Sequence, residues 1–107
     1  RVVDGLVGVK NHGKVPLVVR RNGSRLRRFA HIGTGNYNAQ TARRYTDLSL
    51  LSADEDLTAD VQDLFNELTG SSRAPSQLTR GCLISPNQLL PEIVARIERE
   101  AAHAHPV

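Results

Sequence analysis

His12 and Lys14 in "HGK", His31, and the turn "GTGN" over Gly33–Asn36 all fall between positions 12 and 36. If the first of these lies in a strand, positions i and i+2 share a face. His12 can then attack a phosphorus atom while Lys14 neutralises its non-bridging oxygens. Transfer of a phosphoryl group depends chiefly on positioning and charge stabilisation, and a nucleophile ringed by cations and amide donors supplies both. Gly33, Thr34 and Gly35 suit a tight turn whose backbone amides face an anion, and the Asn36 amide can orient a partner. "HGK" alone better describes an ordinary hydrogen-bonded strand histidine; its company with "GTGN" is what turns the reading toward an anion site.

The elements around these residues can be read from pattern. "LVGVK" and "VPLVV" predict a strand from about Gly8 to Arg20, and Asn22-Gly23 predicts a two-residue hairpin turn. With those two as the loop, Val19 falls beside Leu26, Leu17 beside Arg28 and Lys14 beside His31. One face then carries Val15, Leu17, Val19, Leu26, Ala30 and Ile32. The other carries His12, Lys14, Arg20, Arg25, Arg27 and His31, so both histidines and the lysine converge.

Farther on, "NAQTARRY" predicts a short helix entered at Asn38, with amides able to face an anion, and "LSLL" a short strand. After an acidic loop, "SADED", a helix from Thr58 is marked by Val61, Leu64, Phe65 and Leu68 and ended by Gly70. "GSSRAPSQ" has linker composition. Beyond it, a strand near "GCLIS" and a helix through "QLLPEIVARIEREAAHA" are predicted, with Pro91 in the helix's first turn and Leu90, Ile93, Val94 and Ile97 as its apolar stripe.

The chain has 107 residues, enough for one small domain, and its core must be aliphatic because only Phe29, Tyr37, Tyr45 and Phe65 are aromatic. A single cysteine, Cys82, excludes an intrachain disulfide, and no Cys/His spacing suits zinc, which points to an intracellular protein. No apolar run is long enough to span a bilayer, no signal-peptide pattern opens the chain, and the opening Arg1 leads to the expectation of a fragment. Charge is divided unevenly: residues 1–47 hold ten Lys/Arg against two acidic residues, and residues 48–107 hold four against nine. A basic first half that includes five Arg in positions 20–28 attracts polyanions.

"GVKNHGKVPLVVRR", "RRFAHIGTGNYNAQTARRYTDLSLLSAD" and "LFNELTG" resemble the C-terminal catalytic region of bacterial polyphosphate kinases, a phospholipase-D-like family. The resemblance runs through nearly the whole chain, and its "AHIGTGNYN…TARRYTD" block is the specific part. It implies an α/β fold: an incomplete phospholipase-D-like region with a β-hairpin, a mixed sheet and packed helices. Residues 1–79 would end the first half and residues 80–107 begin the second, since "TRGCLISPNQLLPEIVARIEREAA" resembles that beginning.

The family reaction moves the terminal phosphate of ATP reversibly onto polyphosphate. By resemblance His12 matches the histidine that becomes phosphorylated, His31 a second histidine near the phosphate, and Tyr45 a nucleotide-contacting tyrosine. Lys14 and Asn36 match the "HxK" and "GxxN" positions, and Asp47 is expected to support Tyr45 or nearby arginines. ATP/ADP and polyphosphate are the implied partners, with no obligatory nucleic acid. Mg2+ is the implied cofactor, held by groups outside this chain. A cytoplasmic, homo-oligomeric parent enzyme is expected, with attachment at a membrane surface left open. Because second-half groups are missing, the isolated chain is expected to be inactive.

Two other readings stay open. A phospholipase-D-like phosphodiesterase would use His12 for a covalent intermediate, but Val19 stands where that pattern expects Asp. A basic nucleic-acid-binding module would use Arg20–Arg28 in a salt-dependent way that ignores His12. The same arginines also suit the plain task of protecting a hairpin edge from aggregation.

Overall fold

Pro16 decides where the first strand begins. The structure, a computed structural model, describes residues 8, 10–70 and 80–103. In it β1 runs over Leu17–Asn22 and not from Gly8, because Pro16 has no N–H to give the ladder. The pairing survives one-sidedly across the proline: His31 N donates to Pro16 O at 3.1 Å, and Gly33 N to Lys14 O at 3.0 Å. Lys14 thus forms an isolated bridge with Gly33, and His12 lies in irregular chain before it.

β1 pairs antiparallel with β2 (Arg25–Gly33), and the register differs by two residues from the predicted one. Leu17 faces Ala30, Val19 faces Arg28, Arg20 faces Arg27, and Asn22 faces Arg25. The loop is therefore Gly23-Ser24. Of the two loop residues only Gly23 takes positive φ, at 63°, and among the described residues no non-glycine does. A type II′ turn needs left-handed backbone only at its first central position, so Asn22 is spared that conformation and stays in the strand. A shift of two preserves which face each side chain occupies. Lys14 and His31 remain on one face, with Gly33 and not His31 as the direct partner of Lys14.

α1 is a single turn, Ala39–Ala42, entered at Asn38 as expected. β3 (Ser49–Ser52) pairs antiparallel with residues 30–33 of β2, which gives a three-stranded sheet in the order β1-β2-β3. The expected mixed sheet is replaced, among the described residues, by a purely antiparallel one; consecutive strands joined by a tight turn and a short connection pair this way.

α2 spans Glu55–Leu68, so the acidic stretch read as a loop is the helix's own start. Asp54 caps it by accepting from Leu57 N at 2.8 Å, and Glu55 and Asp56 sit where the helix dipole favours negative charge. α2 packs on β2 and touches β1, burying Ala30 and Val61. Val15, Leu17 and Ile32 are half-buried, whereas Val19 and Leu26, also placed on the core face, are exposed.

"GCLIS" is not a strand, since no partner among the described residues pairs with it. α3 (Leu89–Ala101) carries Pro91 in its first turn as predicted, and its stripe of Leu90, Ile93, Val94 and Ile97 is exposed. Apart from Gly70, the "GSSRAPSQ" linker lies outside the described residues. Among the described residues no helix is long and apolar enough to cross a membrane.

Candidate active site

The bridge at Lys14 and Gly33 is the geometric centre of the site. Lys14 is only 9% exposed, and among the described residues no carboxylate lies within ion-pair distance of it. Its Nζ donates to His12 O at 2.9 Å and lies 2.8 Å from Nδ1 and 3.1 Å from Nε2 of the same ring. An ammonium nearly equidistant from both ring nitrogens cannot lie along either lone pair. It sits against the imidazole instead, holding the His12 backbone while leaving the exposed ring reachable from solvent. A buried cation without a counter-ion is costly unless an anion completes it.

His31 is half-buried on the same face, and its Nδ1 is hydrogen-bonded to the Tyr37 hydroxyl. The two rings are tilted by 53° with centroids 5.5 Å apart. The hydroxyl also donates to Lys14 O at 3.3 Å, so Tyr37 ties His31 to the Lys14 bridge. Nothing in the residue pattern marked Tyr37, because this contact exists only once the chain after β2 folds back over the bridge. Gly33 is needed here for space: a Cβ on it would lie 3.0 Å from Cε1 of His31.

The glycine-rich turn is used differently from the expectation. Gly33 N and Thr34 N are spent on Lys14 O and Leu48 O. Thr34 Oγ1 donates to Asp47 Oδ1 at 3.0 Å and accepts from Leu48 N at 3.0 Å. Asp47 therefore supports Thr34 rather than Tyr45 or an arginine. A Cβ on Gly35 would come within about a bond and a half of the Asp47 carboxylate, 2.2 Å from Oδ2, so this glycine makes room for the acid. Asn36 is exposed, and Tyr45 is 67% exposed, available for stacking but touching nothing that defines a pocket. The amides at the start of α1 are taken by Asn38, whose Oδ1 accepts from Gln40 N and Thr41 N at 3.0 Å each, so they do not face an anion.

Arg20, Arg21, Arg25 and Arg27 are exposed and Arg28 half-buried, and none is ion-paired among the described residues. Among those residues no three His, Cys, Asp or Glu side chains gather to hold a metal.

A further cluster escaped the sequence reading. Asp60, fully buried on α2, accepts through Oδ2 from the amides of Arg80, Gly81 and Cys82 at 2.9, 2.7 and 3.0 Å. Its Oδ1 lies 3.1 Å from Arg80 Nε, and the same guanidinium hydrogen-bonds Asp63. Burial alone would push the Asp60 carboxyl up, but the three amides and the Arg80 charge outweigh it and hold the group below the usual carboxylate range. The Cys82 thiol is pushed up by burial and then by the Asp60 charge. The available signal was a carboxylate inside an apolar stripe, three residues after Leu57 and four before Leu64.

Residues 1–74 match the family model described as "Polyphosphate kinase C-terminal domain 1". The chain belongs to the polyphosphate kinase family. It is 56% identical over 103 residues to "Polyphosphate kinase" of Mycobacterium avium (strain 104), a match covering 95% of this chain and 14% of the relative. The corresponding protein of Mycolicibacterium gilvum (strain PYR-GCK) is 54% identical over 101 residues, covering 94% and 14%. That of Mycobacterium bovis (strain BCG / Pasteur 1173P2) is 52% identical over 101 residues, covering 94% and 13%. The chain spans about a seventh of the length of these polyphosphate kinases.

Proposed function

We propose that this chain carries the phosphate-accepting centre of a polyphosphate kinase, with His12 as the nucleophile. The buried Lys14 ammonium, with no carboxylate partner among the described residues and set against the exposed His12 ring, is the observation that carries this reading. A nitrogen lone pair of His12 attacks the terminal phosphorus of ATP. An N–P bond forms as the bond from that phosphorus to its bridging oxygen breaks, and ADP leaves with that oxygen. A terminal oxygen of polyphosphate then attacks the same phosphorus, the N–P bond breaks, and the chain grows by one phosphate. Both steps run in reverse.

Within this scheme Lys14 neutralises the charge gathering on the transferred group's oxygens. His31, fixed by Tyr37, faces the same group, with Asn36 and the Gly35 amide as further contacts and Tyr45 as a stacking surface for the nucleotide base. Thr34 and Asp47 hold the turn. Mg2+ would be bound by groups elsewhere in the enzyme. The fold is read as the end of one phospholipase-D-like half, with the second starting near residue 80, in a cytoplasmic homo-oligomer.

The test incubates complete wild-type and His12→Ala enzymes with γ-labelled ATP and looks for an acid-labile, base-stable phosphoenzyme. Label on the wild type and none on the variant is expected. Equal labelling removes His12 from this role, and identification of the bound label as phosphate excludes the phosphatidyl intermediate of a phosphodiesterase.

A further inference from the structure

Arg20 and Arg27 face each other directly across the hairpin. Like charges in that position destabilise a strand pair. Edge protection calls for charge but not for two equal charges opposite one another, so it does not account for the choice. Neither arginine has a carboxylate within ion-pair distance among the described residues, and both are exposed. Arg25 shares their face by strand alternation, and the Arg27 guanidinium carbon lies 5.5 Å from the centre of the Phe29 ring, also on that face.

The ladder keeps one register from this pair to the Lys14–Gly33 bridge, so no bulge intervenes and Lys14 and His31 stand on the same face as the arginines. Arg20 lies six positions along the chain from Lys14, about 20 Å at the usual rise per extended residue. The face thus carries a cationic pair at the hairpin end and the lysine–histidine group at the other, with exposed Val18 and Phe29 between them.

We propose that this face is a binding track for a linear polyanion, which the Arg20–Arg27 pair grips about 20 Å from the reacting end. The proposal rests on the reading of the site as a polyphosphate-using one, and it makes that ligand a chain of linked phosphates. Its consequence is length selection. A chain that spans the track gains the arginine contacts, and tripolyphosphate, three phosphates long, falls short of them.

The experiment measures direct binding of long-chain polyphosphate, tripolyphosphate and single-stranded DNA to the complete enzyme. It compares wild type, R20Q/R27Q, R20K/R27K, and R96Q/R99Q, which removes the same charge from α3. For R20Q/R27Q, long-chain affinity is expected to fall about tenfold and the log–log salt slope by about two, with a loss for tripolyphosphate at least fivefold smaller. R20K/R27K should recover most of the loss, which also guards against misfolding as its cause.

Equal weakening of the long and short phosphates, an equal effect from R96Q/R99Q, or no effect would each overturn the track. A loss confined to single-stranded DNA would overturn it in favour of a nucleic-acid surface. Because binding is read without turnover, the outcome is separate from the His12 labelling test: either can fail while the other stands.

Discussion

Replacing Asp60 with Ala should detach the segment that begins at Arg80 from α2. The magnitude follows from what Asp60 holds: three backbone amides on Oδ2 and the Arg80 guanidinium on Oδ1. Breaking a buried, hydrogen-bonded charge cluster by removing one member costs about 3–5 kcal/mol. Arg80 and Gly81 are exposed, so water can reach part of the released amides, and the low end, about 3 kcal/mol, is expected. With a urea slope of about 1.5 kcal/mol/M, the unfolding midpoint drops by about 2 M.

Asp60→Asn should fall between, at about 1–2 kcal/mol, because an amide oxygen still accepts while its NH2 group confronts the guanidinium. Cys82 gives a local reporter: its thiol is suppressed by burial and by the Asp60 charge, so thiol-reagent labelling should accelerate in both variants. The pH dependence has a definite sign. The carboxyl is held below its usual range, so its stabilisation is fully present above about pH 4 and is lost as pH falls through the lowered folded value. The gap between wild type and Asp60→Asn should narrow only in that acidic window. An unchanged urea midpoint for Asp60→Ala, with unchanged Cys82 labelling, would refute the clasp.

In the complete enzyme, Lys14→Ala should lower both phosphate affinity and the rate of label transfer to His12, each by about 10–100-fold, the worth of one charge-assisted contact; steady-state kinetics and rapid-quench labelling separate the two. Gly35→Ala should swing the Asp47 carboxylate away and break its bond from Thr34, costing about 1 kcal/mol by denaturant titration. Gly23→Ala forces a side chain into positive φ at the hairpin turn, and a loss of about 1 kcal/mol is expected by the same measurement. A stability gain there would mean that residue 23 does not take positive φ.

Local pattern settled those features whose forces act over a few residues. The period of Val61, Leu64, Phe65 and Leu68 placed α2, the Asn38 side chain placed α1's start, and alternation assigned Lys14 and His31 to one face. Alternation survives a two-residue slip, which is why the face was legible while the register was not. The register depended on whether one or two positions of the turn take positive φ, a choice that Gly23 permits either way and the paired strands decide. "SADED" was misread because acidic residues suit both a loop and a helix's first turn, and only the Asp54 cap distinguishes them. The remainder was beyond any local rule. Tyr37 reaches Lys14 across 23 positions, Asp60 reaches Gly81 across 21, and the carboxylate of Asp47 fills the space left by Gly35. Such contacts form between segments that the sequence separates, so spacing along the chain carries no record of them; they appear when packing of α2 on the sheet has already brought the backbones together.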